Sequence, residues 1–283
     1  MATNYSTRPT VDRHDPVRRQ PAARAAVSLS AIITGEVIPR LMGTGALQRI
    51  RPRRQLSVDA HMVEMFAGLA LAVEGDELVA QVERLADDGV CVETLLVDLL
   101  APTARRLGEY WVEDRCDFVD VTMGLWRLQQ AVHALSGRGA PPVAPRAGIA
   151  PRALFSPMPG DQHGFGTVIV EEMFARAGWD TLRIAPENPA AINEVLAGGW
   201  FDVAGLTATC TCHIASLPSL IAGMRAASRN PSLKVMLGGH ALQGDQMLAA
   251  RLGADGTAGD ARAAVAAADR LLAISASQVA CPD

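Results

Sequence analysis

The chain has 283 residues, of which 49% are apolar and 20% charged, a globular composition long enough for two ordinary domains. No apolar run reaches membrane-spanning length, and the polar, arginine-bearing N-terminus lacks a signal peptide's apolar core, so a cytoplasmic protein without a membrane partner is expected. Ten arginines against three acids put residues 1–54 at +7, which leaves −11 on the remainder of a chain whose net charge is −4.

In chain order, residues 1–24 are polar and proline-punctuated, and a helix is expected from about Ala25, broken near Pro39. A basic linker, "RIRPRRQLS", follows. The basic segment is a candidate for an acidic partner or for weak or indirect DNA contact. A solvated tail neutralised by its own acidic body accounts for it equally, because dispersed arginines without a reading helix supply no groove-reading element. From Val58 four stretches carry apolar residues at three-and-four spacing, with stops expected at Gly75, Gly89, Glu113–Asp114 and Gly137. Short connections between such helices make an antiparallel bundle. Residues 136–151 are rich in proline, glycine and alanine without periodicity, and mark a linker.

Beyond the linker the pattern alternates between strand and helix. "RALFSPM", "DTLRIAP", "DVAGLTAT", "LKVMLGG" and a weak "ADGTAG" read as strands, each followed by an apolar-periodic helix, with Asn188 and Pro189 as one helix start. Five such units imply a parallel sheet with helices on both faces and a ligand site outside the carboxyl ends of its strands. The expected organisation is a basic segment (1–54), a four-helix cap (55–137), a linker (138–151), a Rossmann-like α/β domain (152–276) and a tail (277–283).

The loop "PMPGDQHGFG" after the first strand places Asp161 beside His163 among glycines. A polar loop is the plain reading; the alternative is that Asp161 orients His163 as a metal ligand, since a bound imidazole donates its other N–H to a carboxylate. Gly166 shares this loop, Thr207 and Thr209 end strand three, and Gly238 and Gly239 end strand four, so all open at one edge of the sheet. Other residues read more plainly. "CTCH" (Cys210, Cys212, His213) lacks zinc-site spacing and reads as helix-start packing, and the five cysteines are expected reduced. Cys116 among acidic neighbours reads as inert. Phe118 and Trp126 read as bundle core and Arg127 as rim. His240 reads as a surface histidine and His61 and His133 as bundle core or rim, with an axial metal ligand from the cap as the alternative for His133.

"DQHGFG", then "GLTAT", then "MLGGHAL" and "GADGTAGDA", resembles the cobalamin-binding domain family, whose Asp-x-His-x-x-Gly, Ser-x-Leu and Gly-Gly motifs stand in this order. The resemblance covers residues 151–275 and implies a flavodoxin-like five-stranded parallel sheet behind an N-terminal helical cap. It implies His163 as the lower axial ligand to cobalt in place of the corrinoid's own base, with Asp161 as its orienter. Gly166, Thr207, Thr209, Gly238 and Gly239 would line the channel for the displaced nucleotide tail. Thr207 keeps the hydroxyl of the serine position, whereas Thr209 replaces leucine and makes the channel more polar. "LGEYWVEDRCDFVDVTMGLWRLQQAV" resembles the family's cap, which implies Trp111 over the upper corrin face. The Glu-His pair of the related light-responsive repressors is replaced here by Val121-Thr122.

"WVEDRCDFVDVTMGLWRLQ" with "AVSLSAIITGEVIPRLM" resembles more narrowly the AerR/PpaA antirepressors of photosynthetic proteobacteria. That resemblance implies a non-enzymatic regulator that senses light through bound cobalamin, as hydroxocobalamin or adenosylcobalamin, and acts on a transcription repressor of photosystem genes. Two alternatives keep the architecture: a haem-binding redox sensor using His163 on iron, and a corrinoid carrier protein of a methyltransferase system.

Overall fold

The structure is a computed structural model that describes residues 58–138, 150–161 and 163–279. The basic segment 1–54 and nearly all of the linker 138–151 lie outside the described residues.

Four helical elements come first. Helix α1 (Ala60–Ala72) is capped by Asp59, whose side chain accepts the Met62 N–H, and α2 spans Gly75–Asp87. The expected stop at Gly75 is displaced: Val73 ends α1 and Gly75 opens α2, with the flexible end of Gln130 on the facing helix in the space beside it. Gly89 and Asp114 stop their helices as expected, each with φ in the left-handed region. The third element, α3, is continuous through Val92–Thr94, a π-helical Leu95–Leu100 and Ala101–Val112. The wide turn precedes Pro102, and it lets Ala101 N–H reach back to Leu96 O where a proline ring would crowd a regular ladder. Helix α4 (Phe118–Ser136) opens with a reciprocal capping box between Asp117 and Asp120.

The second half is a five-stranded parallel sheet in the order β2-β1-β3-β4-β5, the flavodoxin-like arrangement expected. The strands are β1 (Arg152–Pro157), β2 (Asp180–Arg183), β3 (Val203–Thr207), β4 (Lys234–Gly238) and β5 (Gly256–Thr257). The helices between them are α5 (Phe165–Arg176), α6 (Pro189–Gly198), α7 (Leu217–Ala227) and α8 (Gln246–Arg251), and α9 (Ala261–Val279) closes the fold. Asn188 caps α6 through the Ala191 N–H, as its position before Pro189 predicted. A short 3-10 turn, Thr211–Ser216, stands where the sequence suggested the start of α7.

Burial on both faces explains the near-continuous apolar runs of the central strands. Leu154 packs with Ile192, Leu196 and Leu220 on one side. Phe155 packs with Phe174 and Trp179 on the other, ring edge to ring face at 4.7 and 5.1 Å along that stack. Helix α5 has apolar residues on two sides for a reason: Phe174 faces the sheet, while Phe165, Ile169 and Met173 enter the core of the helical bundle with Leu96, Leu100 and Leu128. Polar ties reinforce that junction. Arg176 pairs with Glu172 at 2.9 Å and donates to the Leu135 and Arg138 carbonyls, and Ser136 donates to Glu172. Among the described residues no helix is long and apolar enough to cross a membrane.

Candidate functional site

The strand order reverses between β1 and β3, so the crevice outside their carboxyl ends is where an open α/β sheet takes a ligand. Pro157, Thr207 and Gly238 are register partners in one row across β1, β3 and β4, which brings the three exit loops level. After β1 the backbone turns at Gly160, whose φ of +77° favours glycine, and Asp161 N–H closes the turn onto Met158 O at 2.9 Å.

That turn buries one member of the pair and exposes the other. The Asp161 side chain is 4% exposed, while that of His163 is 68% exposed. Asp161 Oδ1 accepts the His163 backbone N–H at 2.9 Å and lies 2.6 Å from His163 Nδ1. Asp161 Oδ2 accepts from the Thr209 hydroxyl and lies 3.6 Å from His213 Nε2. Burial pushes the Asp161 pKa up, but the Thr209 hydroxyl and the His163 backbone and ring outweigh it and hold it below the ordinary value. An ionised Asp161 draws the imidazole proton to Nδ1 and leaves the lone pair at Nε2, the state a metal ligand requires. An exposed imidazole whose tautomer is fixed by a buried carboxylate can bind a metal ion at Nε2 or accept a proton there.

Thr209 therefore touches Asp161 directly; it lies beyond the end of β3, which stops at Thr207. The two glycines of β4 play different parts. A Cβ on Gly238 would meet nothing within 4 Å, so open space lies beside it. Gly239 has φ +95° and a Cβ there would strike the Ala208 backbone, so it is required by the close approach of the β3 exit loop. Gly166 is exposed, and a Cβ there would rest at 3.9 Å from Thr207 Cγ2, which puts the start of α5 next to the end of β3.

Residues 151–269, which contain this entire edge, match the B12 binding domain family. A protein of Rhodobacter capsulatus described as an uncharacterized 20.5 kDa protein in the bchF-crtJ intergenic region is 27% identical over 166 residues, covering 59% of this chain and 85% of its own. In fold, the chain is similar to the monomethylamine corrinoid protein of Methanosarcina barkeri, with a TM-score of 0.59 at 16% identity, over 76% of this chain and 98% of that one.

In the helical cap Trp111 is 47% exposed, with Phe118 edge-on at 6.5 Å between ring centroids. Phe118 is 64% exposed and is not bundle core as the sequence suggested. Trp126 and Arg127 also exchange their expected parts: Trp126 is half exposed, and Arg127 turns inward to donate to Ala70 O at 2.8 Å. The turn carrying Trp111 is held by a network that sequence periodicity did not reveal. Glu64 on α1 accepts from Arg106 Nε at 2.7 Å and from the Tyr110 hydroxyl at 2.6 Å, and its pKa falls to about 2, chiefly through Arg106 and then Tyr110. Arg115 stacks over the Tyr110 ring. His133 lies exposed on α4, fifteen residues or about 22 Å along the helix axis from Phe118. His240 is exposed, and the Cys116 thiol is pushed up by burial and then by Asp120 and Asp117, in line with an unreactive thiol.

The CTCH segment departs from expectation. Cys210 and Cys212 are joined as a disulfide, where reduced thiols were expected, and Cys210 Sγ accepts the Cys212 N–H as the cap of the 3-10 turn. His213, read in the sequence as helix-start packing, lies instead against Asp161, four positions after the threonine that grips the same carboxylate.

Proposed function

We propose that this chain is a cobalamin-dependent, light-sensitive regulator, an antirepressor that acts on a transcription repressor of photosystem genes. The observation that carries the cofactor half is the buried Asp161 holding His163 Nδ1 while the ring stands exposed at the switch point of a B12 binding domain. His163 would hold the cobalt through its exposed Nε2. Asp161 fixes its tautomer and raises its basicity, and Thr209 keeps Asp161 ionised. Gly238 and Gly166 leave room for the nucleotide tail beside Thr207, and room of that kind favours cobalamin over haem, which has no tail. Trp111, with Phe118, would close over the bound group and shield it from water. Bound cobalamin supplies a cobalt–ligand bond that light breaks or exchanges. The regulatory half is supported by the Rhodobacter capsulatus relative, whose name places it between bchF and crtJ in a photosynthesis gene region. The test is absorbance of the purified chain with hydroxocobalamin and with adenosylcobalamin, in darkness and after illumination. A bound-cobalamin spectrum that changes with light supports the reading. Haem uptake in place of cobalamin, or methyl transfer from bound cobalt to a thiol, would replace it with a haem sensor or a methyl carrier.

A further inference from the structure

Between the two residues of the β3 exit loop that reach Asp161, Thr209 and His213, stand only Cys210, Thr211 and Cys212. Both cysteines are exposed and joined to each other, with Cα atoms 5.2 Å apart. The segment is anchored on its N-terminal side, where the buried Ala208 donates to Gly238 O at 2.9 Å and accepts from Ala241 N–H at 3.1 Å. On the other side Leu217 is buried at the start of α7. The stretch between these anchors carries three groups that bear on one another: the Thr209 hydroxyl, the sulfur pair and the His213 ring.

We propose that Cys210 and Cys212 form a thiol–disulfide exchange site, and that its state sets how Thr209 and His213 hold Asp161 and, through it, the His163 ring. The co-reactant is a cellular thiol: a small thiol of the glutathione class or the dithiol of a thioredoxin-type protein. Its thiolate attacks one sulfur, the Cys210–Cys212 bond breaks and a mixed disulfide forms. A second thiol then displaces it. Two electrons and two protons pass to the pair, giving two thiols here and one disulfide on the reductant. Opening removes the covalent restraint between positions 210 and 212 and frees the sulfur that caps the 3-10 turn. Asp161 then keeps His163 but loses the fixed grip of Thr209 and His213. Thr209 and His213 act here as positioning residues.

The site is tested on the full chain by two readouts. The first needs no cofactor: nitrogen-15 spectra of the histidine rings after oxidation, and after phosphine reduction with the reductant removed. The His163 signals are assigned by their loss in His163→Ala. The proposal expects the His163 ring signals to differ between the two states, and the difference to vanish in the Cys210→Ser/Cys212→Ser variant. Thiol alkylation of the same samples should gain two labels on reduction. The second readout rests on the cobalamin reading above: adenosylcobalamin affinity in the dark should differ about tenfold between the two states, the scale on which outer-shell partners tune a metal site. Ring signals that are identical in both states would overturn the proposal, as would thiols at 210 and 212 that oxidant never couples. Ring signals that respond in a chain that binds no corrinoid would sustain the exchange site and remove the cobalamin reading alone.

Discussion

Asp161 carries more of the chemistry than the histidine it holds. Its carboxylate is buried, accepts from Thr209 and from the His163 backbone, and is ionised because those donors outweigh the cost of burial. Replacing it by asparagine keeps the shape and removes the charge that draws the proton to Nδ1. Asp161→Asn is expected to weaken corrinoid binding by about 10–100-fold, read by absorbance titration with hydroxocobalamin. The same residue predicts a pH dependence. Its folded pKa is depressed below the ordinary 3.8, so the stability it contributes is present above that value and is lost as pH falls through the folded one. Urea unfolding of the wild type and Asp161→Asn should therefore differ at neutral pH and converge in the acid range below pH 3.8. A difference that persists unchanged into acid would contradict the assignment.

At the scale of elements, the adjacent glycines of the β4 exit make opposite predictions. Gly239 has a left-handed φ against the Ala208 backbone, so Gly239→Ala should destabilise the fold by about 1–3 kcal/mol, measured by urea unfolding. Gly238 has open space at its Cβ, so Gly238→Leu should leave the unfolding midpoint nearly unchanged and lower corrinoid affinity by filling that space. The sequence showed both as one Gly-Gly pair, because spacing carries no dihedral. The strands were legible for a physical reason: Leu154, Phe155, Val235 and Leu237 lie between two helical layers, so their apolar runs are unbroken. The faces of α4 were not. Phe118, Met123 and Trp126 make one apolar stripe, and Val121, Gly124, Leu128 and Leu135 make another. The second stripe turns inward, and at Gly124 the approach is close enough that a Cβ would meet Leu107 at 2.9 Å. Periodicity reports that a helix has a face; the size of its partners decides which one.

In the whole molecule, cap and B12 binding domain share a core through α5, with Ile169 and Met173 among the bundle leucines and Phe174 against the sheet. The sequence marked a boundary at residues 138–151 from composition alone, and composition does not register that α5 packs on both sides. Unfolding of the two parts should follow one transition, with helical circular dichroism and tryptophan fluorescence superimposing. Arg176→Met, which removes the guanidinium donor from the Leu135 and Arg138 carbonyls and the ion-pair partner of Glu172, should lower stability by about 3 kcal/mol without separating the probes. Two resolved transitions would show that the shared core does not couple them. The Asp-x-His motif was legible because its spacing is a chemical requirement. The Cys210–Cys212 bond was not, since a one-residue gap matches no scaffold pattern and only the fold sets it beside Asp161.

His163 as the ligand to cobalt is the assignment on which the proposed chemistry rests. Electron paramagnetic resonance of bound cob(II)alamin, in protein made with ordinary and with nitrogen-15 histidine, tests this most directly. The account predicts that the axial nitrogen splitting changes from triplet to doublet with the label, and that His163→Ala abolishes it. A triplet unaltered by the label would mean that the corrinoid keeps its own base, and would contradict the assignment of His163.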